Sequence, residues 1–239
     1  RLDARGVAHV DYRAVWRLAG PLIANSAVHA VLNLTDTWFV GRLSTTATAA
    51  MGAIYWLVFC AILLLGGVGM AVQTFAAQAH GAGRYRRAGQ AAWSGAAASL
   101  LTLPAFALIA WLGAPLLAAL DLDVEVRRLA LEYWWPRLVI GGPLALLAWS
   151  LTGFFNGIGR SRVTLAVTLV TAVANVPFNQ WFMFDLGLGM AGAAWGTIAA
   201  QTAGIAVALA CLLGARMRAR YATQLTWRRP RVRRQFALG

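Results

Sequence analysis

The chain contains no lysine: its 21 basic residues are all arginine, set against 8 acidic residues and 3 histidines. Charged residues are 12% of the 239, about half the share of an ordinary soluble domain. Cysteine is nearly absent. Cys60 and Cys211 stand singly in apolar stretches with no CxxC or CxxH around them, which makes them packing residues rather than a disulfide or metal site. His9, His29 and His80 are scattered, and neither HExxH nor GxSxG occurs, which argues against an intramembrane hydrolase. No basic segment followed by a short apolar run and a cleavage site opens the sequence, so no signal peptide is read there. The chain begins at Arg1 without a methionine, and the expectation is a segment of a longer polypeptide.

What the chain has in abundance is apolar residues, 60% of the total, gathered into long blocks. A helix needs about 20 mostly apolar residues to cross the hydrocarbon core of a bilayer. That length is met repeatedly, over about 15–40, 49–79, 88–120, 126–155, 163–184 and 190–215. The predicted fold class is therefore all-α, a polytopic membrane protein with a six-helix transmembrane bundle over 1–215 and a basic tail or inter-lobe linker over 216–239. Pro104 and Pro115 lie inside the third block, where neighbouring helices tolerate a kink. The formal charge of +13 does not make this a nucleic-acid binder, because arginines clustered at membrane helix ends set orientation instead. The N-terminus, the Arg84 loop, the Arg160 loop and the tail from Arg216 gather nearly all the flanking arginine, and six crossings put them on one side. The positive-inside tendency makes that side cytoplasmic, with both termini there, in the plasma (inner) membrane.

Polar residues inside such blocks are costly and call for a reason. Asp36 is the one acidic residue well within an apolar block. Asn25, His29, Asn33 and Asp36 follow spacings of four, four and three and are expected on one face of the first helix. The fifth helix repeats the pattern with Thr164, Thr168, Thr171, Asn175 and Asn179, and the sixth adds Thr197 and Gln201. Asparagine and threonine inside membranes also simply bridge helices, for about 1 kcal/mol each. Three polar stripes and one carboxylate together point to an ion or substrate cavity. A carboxyl group that is neutral when protonated and charged when empty is a coupling switch for which a proton or a sodium ion competes. Asn175 and Asn179 offer the neutral oxygens a small cation needs, and His29 is a group whose ordinary titration falls near neutral pH. Pro21, about four turns before Asp36, removes a backbone hydrogen bond and marks the place where the first helix bends.

Four segments, in order along the chain, resemble one family. Pro21 followed by Asp36 in "DTWFVGRL" resembles the first helix of MATE (multidrug and toxic compound extrusion) transporters. "TFAAQAHGAGRYRRAG" (Thr74 to Gly89) is similar to the end of that family's second helix, and "GFFNGIGRSRVT" (Gly153 to Thr164) to its turn between helices four and five. "NVPFNQWFMFDLGLGMAGAAWGT" (Asn175 to Thr197) resembles the signature joining helices five and six. The style is closest to the DinF-like branch. The resemblance implies a secondary antiporter that exports organic, often cationic or amphipathic, compounds against entry of H+ or Na+, with alternating access between two six-helix lobes. It implies no cofactor and no enzymatic activity. Its partners are a lipid bilayer, a small-molecule substrate and a second six-helix lobe, on the same polypeptide or on a homodimer partner. Asp36, Asn175 and Thr197 match positions lining the family's amino-terminal cation site. Many relatives carry a carboxylate where this chain has Asn179, so the cavity keeps one acid, which fits proton coupling better than a sodium ion at Asp36. A lipid-linked precursor flippase of the same superfamily ranks second, because such proteins carry basic residues in the cavity and the stripe here is acidic and neutral. A non-transporting accessory half-protein is the third reading.

Overall fold

The computed structural model describes residues 12–224. Residues 1–11 and 225–239, with most of the tail arginines, lie outside the described part. Among the described residues there are helices and turns but no strand. Helix α1 spans Tyr12–Gly41 and α2 spans Thr45–Gly81, entered through Ser44, whose hydroxyl caps the Ala47 N–H. A third span is assembled from α3 (Tyr85–Leu101), α4 (Leu103–Trp111) and α5 (Gly113–Ala118). Its two breaks fall just ahead of Pro104 and Pro115, which cannot donate back into the preceding turn. A fourth is made of α6 (Val124–Val139) and α7 (Gly141–Gly157), bent by 45° at Ile140. Helix α8 (Ser161–Asn179) runs into a π-helical turn at Gln180–Asp185, and α9 spans Gly189–Leu212. A short α10 (Ala215–Tyr221) closes the described chain.

Among these residues, four helices are long and apolar enough to cross a membrane, and five when the bent pair is counted as one span. Helix α1 is as long as they are, at 30 residues, but carries the polar stripe that lowers its apolar content. The outer surface fits a lipid setting. Leu64 is 77% exposed and Val173 71%, with Trp16, Trp56 and Trp111 exposed as well. An apolar surface of that extent is unstable in water and is at home in hydrocarbon.

Two apolar clusters fill the bundle. One gathers Phe39, Ile54, Phe106, Trp134, Leu138, Met183 and Met190 toward the end that holds the α1–α2 turn. The other gathers Val72, Leu151, Phe154, Phe155, Leu212 and Tyr221 toward the opposite end. Apolar side chains gain little from mutual contact in lipid, so close packing and polar ties must join the helices. A buried hydroxyl pair, Ser99 and Ser150 at 3.0 Å, ties α3 to α7. At the far end the chain after α9 folds back. The Tyr221 hydroxyl meets His80 Nδ1 at 3.0 Å, and buried Thr223 donates to the Leu212 carbonyl at 2.7 Å. The first turns of the basic tail are thus docked on the bundle.

Helices α1 and α8 decide the geometry of the site. Thr168 Oγ1 donates to Asn25 Oδ1 at 2.6 Å, and Asn179 Nδ2 donates to Asp36 Oδ1 at 2.7 Å. Both ties join residues 143 apart in sequence, and a constant offset means that the two helices run parallel. They lie eleven residues apart along each helix, about 16 Å at the α-helical rise.

Candidate functional site

The centre of the site is the Asp36 carboxylate, half-buried between α1 and α8. Asn179 donates to it at 2.7 Å and, through the same Nδ2, to Asn175 Oδ1 at 3.0 Å. Both asparagines are fully buried. Asn175 stands close beside the same carboxylate, yet its Nδ2 closes no hydrogen bond of full geometry. Local sequence explains why Asn179 is aimed this way. Pro177 takes one N–H out of the last turn of α8, and the chain passes directly into the wider π-helical turn. Gly196 of α9 lies against the Asn179 side chain: a Cβ there would fall 2.2 Å from Asn179 Oδ1. A glycine is what lets α9 approach this closely.

The residues marked out by sequence divide into two groups. Asn25, Asp36, Thr168, Asn175 and Asn179 meet at the α1–α8 contact. Thr197 is buried on α9, its hydroxyl donating to the Ala193 carbonyl at 2.9 Å. Thr171 is half-buried and donates to the Val167 carbonyl at 3.0 Å, with Gly204 of α9 lying against its hydroxyl. Gln201 is half-buried with its Oε1 enclosed and without a partner. His29 and Asn33, by contrast, are exposed. The reason is helical phase. Measured from the buried Leu32 at about 100° per residue, Asn25 and Asp36 lie about 20° and 40° away, whereas His29 and Asn33 lie about 60° and 100° away. They turn off the α8 contact and onto the open face of α1. Pro21 lies in the interior of α1, half-buried.

One residue was missed by sequence reading. Arg137 lies thirteen residues beyond Val124, about 20 Å along the helix. The structure leaves it half-buried, with Gly141 of α7 lying against its Nη1. Its Nη1 is enclosed and has no hydrogen-bond partner. Counting its depth along the helix was the signal available. The polar set read from sequence did not include this half-buried cation.

Enclosed polar atoms without partners are uncommon in native interiors and point to water or an ion between them. Four occur among the described residues: Arg137 Nη1, Asn175 Nδ2, Asn179 Oδ1 and Gln201 Oε1. Two are donors and two are acceptors. No group of three His, Cys, Asp or Glu side chains among the described residues comes together as a metal site.

Fold and site together define one lobe of a multi-pass membrane protein, with a single carboxylate held between parallel helices. The MatE family model matches residues 21–181, and the chain belongs to the MATE family. It is 32% identical over 237 residues to the probable multidrug resistance protein NorM of Deinococcus radiodurans, covering 96% of this chain and 51% of that protein. It is 27% identical over 207 residues to DNA damage-inducible protein F of Escherichia coli, covering 82% and 43%, in keeping with a DinF-like character. Among solved structures it superimposes, with a TM-score of 0.78 and 23% identity, on an outward-facing multidrug resistance MATE family transporter of the MOP superfamily. That match covers 90% of this chain and 47% of the transporter. The chain spans about half the length of the curated relatives it matches or less.

Proposed function

We propose that this chain is the amino-terminal lobe of a MATE-type exporter that moves organic, often cationic or amphipathic, compounds out of the cell in exchange for protons. The observation that carries the reading is the Asp36 carboxylate bonded to Asn179 and flanked by Asn175 between two parallel helices. With the site empty, the ionised carboxylate is steadied by the Asn179 amide. When a proton arrives, the charge disappears, the charge-assisted bond weakens, and α1 is free to shift against α8. Pro21 gives α1 a weak point for that shift. Thr197 and Gln201 on α9, with Asn25 and Thr171, line the approach, and the exposed His29 and Asn33 face the cavity shared with a second six-helix lobe. That lobe belongs to the same polypeptide or to a homodimer partner. The arginine-rich loops and tail support a plasma-membrane orientation with both termini cytoplasmic.

The test is efflux of a fluorescent organic cation from energised membrane vesicles carrying the full-length protein. Asp36→Asn should abolish extrusion driven by a pH gradient while leaving the protein folded, and undiminished extrusion would reject the reading. The half-buried Arg137, with its Nη1 enclosed, lends the lipid-linked precursor flippase reading a specific observation. It predicts that a polyprenyl phosphate, and not an organic cation, competes for transport.

A further inference from the structure

The end of the lobe opposite the α1–α2 turn carries a concentration of positive charge. Arg84, Arg86 and Arg87 stand at the start of α3, Arg160 and Arg162 at the start of α8, and Arg216, Arg218 and Arg220 on α10; all are exposed. The segments that hold them, 79–89, 156–164 and 213–224, contain no aspartate or glutamate. Close packing brings the three groups to one end. Gly157, the last residue of α7, lies against α2, where a Cβ would fall 2.5 Å from the Gln73 carbonyl oxygen. Gly89 of α3 meets the Tyr221 carbonyl so closely that no Cβ fits between them.

Helix α10 is held there by its inner face. Met217 and Tyr221, four residues apart, are buried, which leaves Arg216, Arg218 and Arg220 on the outside. The Tyr221 ring stacks on His80 and meets Tyr85 and Phe154 edge-on, each at 5.7 Å. The Arg220 guanidinium lies over the Tyr85 ring, 4.5 Å from its centre. Just beyond α10, Trp93 Nε1 donates to the Thr223 carbonyl at 3.3 Å. The segment is therefore a strap that fixes its arginines beside those of the α2–α3 turn. Their height is set by the spans they adjoin. Arg84, Arg86 and Arg87 flank Tyr85, where one apolar span begins, and Arg216 follows four residues after Leu212, where another ends. That is the level at which hydrocarbon gives way to headgroups.

We infer that this face is a docking surface for the phosphate groups of anionic phospholipids, with α10 as the strap that sets arginines upon it. The inference does not depend on the role of Asp36. Arginine presents planar, paired donors that match a phosphate, and clustered like charges repel one another unless anions stand between them. The leaflet supplies such phosphates at the arginines' own height. Lipid with a net negative charge is favoured over zwitterionic lipid, whose cationic group would face the same arginines.

The experiment is lipid titration of the delipidated full-length protein in detergent, read by native mass spectrometry. The probes are phosphatidylglycerol and phosphatidylcholine with the same acyl chains. The unmodified protein should take up phosphatidylglycerol at a concentration at least tenfold lower than phosphatidylcholine. The combined variant Arg216→Gln, Arg218→Gln, Arg220→Gln should lose most of that preference. Tyr221→Ala keeps every arginine but releases α10 from His80, Tyr85 and Phe154, and it should lose the preference as well. Equal uptake of the two lipids by the unmodified protein overturns the inference, and that arm needs no variant to fold. Undiminished preference in the triple variant, or in Tyr221→Ala that still elutes as a monodisperse peak, overturns it too, because charge attraction without a fixed strap would then suffice. Displacement of phosphatidylglycerol by inorganic phosphate would assign the surface to a soluble anion and overturn it equally.

Discussion

Gly196→Ala is a one-carbon change with a calculable consequence. The new Cβ would stand 2.2 Å from Asn179 Oδ1 and 3.1 Å from both the Cα and N of Asn179, whereas ordinary contacts lie at 3.4–4 Å. Rotating the amide relieves the first clash and not the other two, which involve α8 backbone. Helices α8 and α9 must therefore separate by several tenths of an ångström, and the Asn179 amide must leave its present aim. Overpacking of this kind costs about 1–3 kcal/mol. Displacing Nδ2 also weakens a charge-assisted bond to Asp36, a class worth about 1.5–3 kcal/mol. Gly67, with nothing within 4 Å of its notional Cβ, is the control. Alanine there should stabilise α2 by about 0.5–1 kcal/mol through helix propensity alone. Thermal unfolding of the two variants in the same detergent, followed by the loss of the monodisperse gel-filtration peak, should move in opposite directions. Coincident melting of Gly196→Ala and Gly67→Ala would refute the claim that α9 buttresses the Asn179 amide.

The polar tie remote from the carboxylate should behave differently. Asn25→Ala and Thr168→Val each break the 2.6 Å bond, and a double-mutant cycle should return a coupling of about 0.6–1.7 kcal/mol, as for neutral bonds between membrane helices. Because it leaves Asp36 untouched, proton-driven efflux should persist in the double variant. Pro21→Ala restores a backbone donor in the interior of α1, so unfolding temperature should hold or rise while turnover falls about tenfold. Unchanged turnover would remove the bend from the account.

The membrane bundle was legible because apolar runs long enough to cross a bilayer leave few alternatives, and four motifs in the right order gave the family. The site was legible in part. Asp36 and Asn179 stood out because a carboxylate and an amide inside apolar blocks are costly. The face they share was drawn too broadly: spacings of four, four and three keep residues on one side only loosely, and His29 and Asn33 end about 60° and 100° from the buried Leu32. Arg137 escaped because arginines near a helix start read as interfacial, and only the depth of the position points to a half-buried guanidinium. The bend at Ile140 was not read from the sequence, whereas the breaks in the third span fall just ahead of its two prolines. Pro104 and Pro115 mark weak points in the third span, but how far each span bends is settled by the neighbours it packs against.

The most direct measurement of the central claim is proton release on substrate binding. The purified full-length protein, in weakly buffered detergent solution with a pH indicator, is titrated with an organic cation. The account predicts that the unmodified protein releases protons as the cation binds, and that Asp36→Asn binds the same cation with no release. Equal proton release from both proteins would contradict it, and would place the coupling group somewhere other than Asp36.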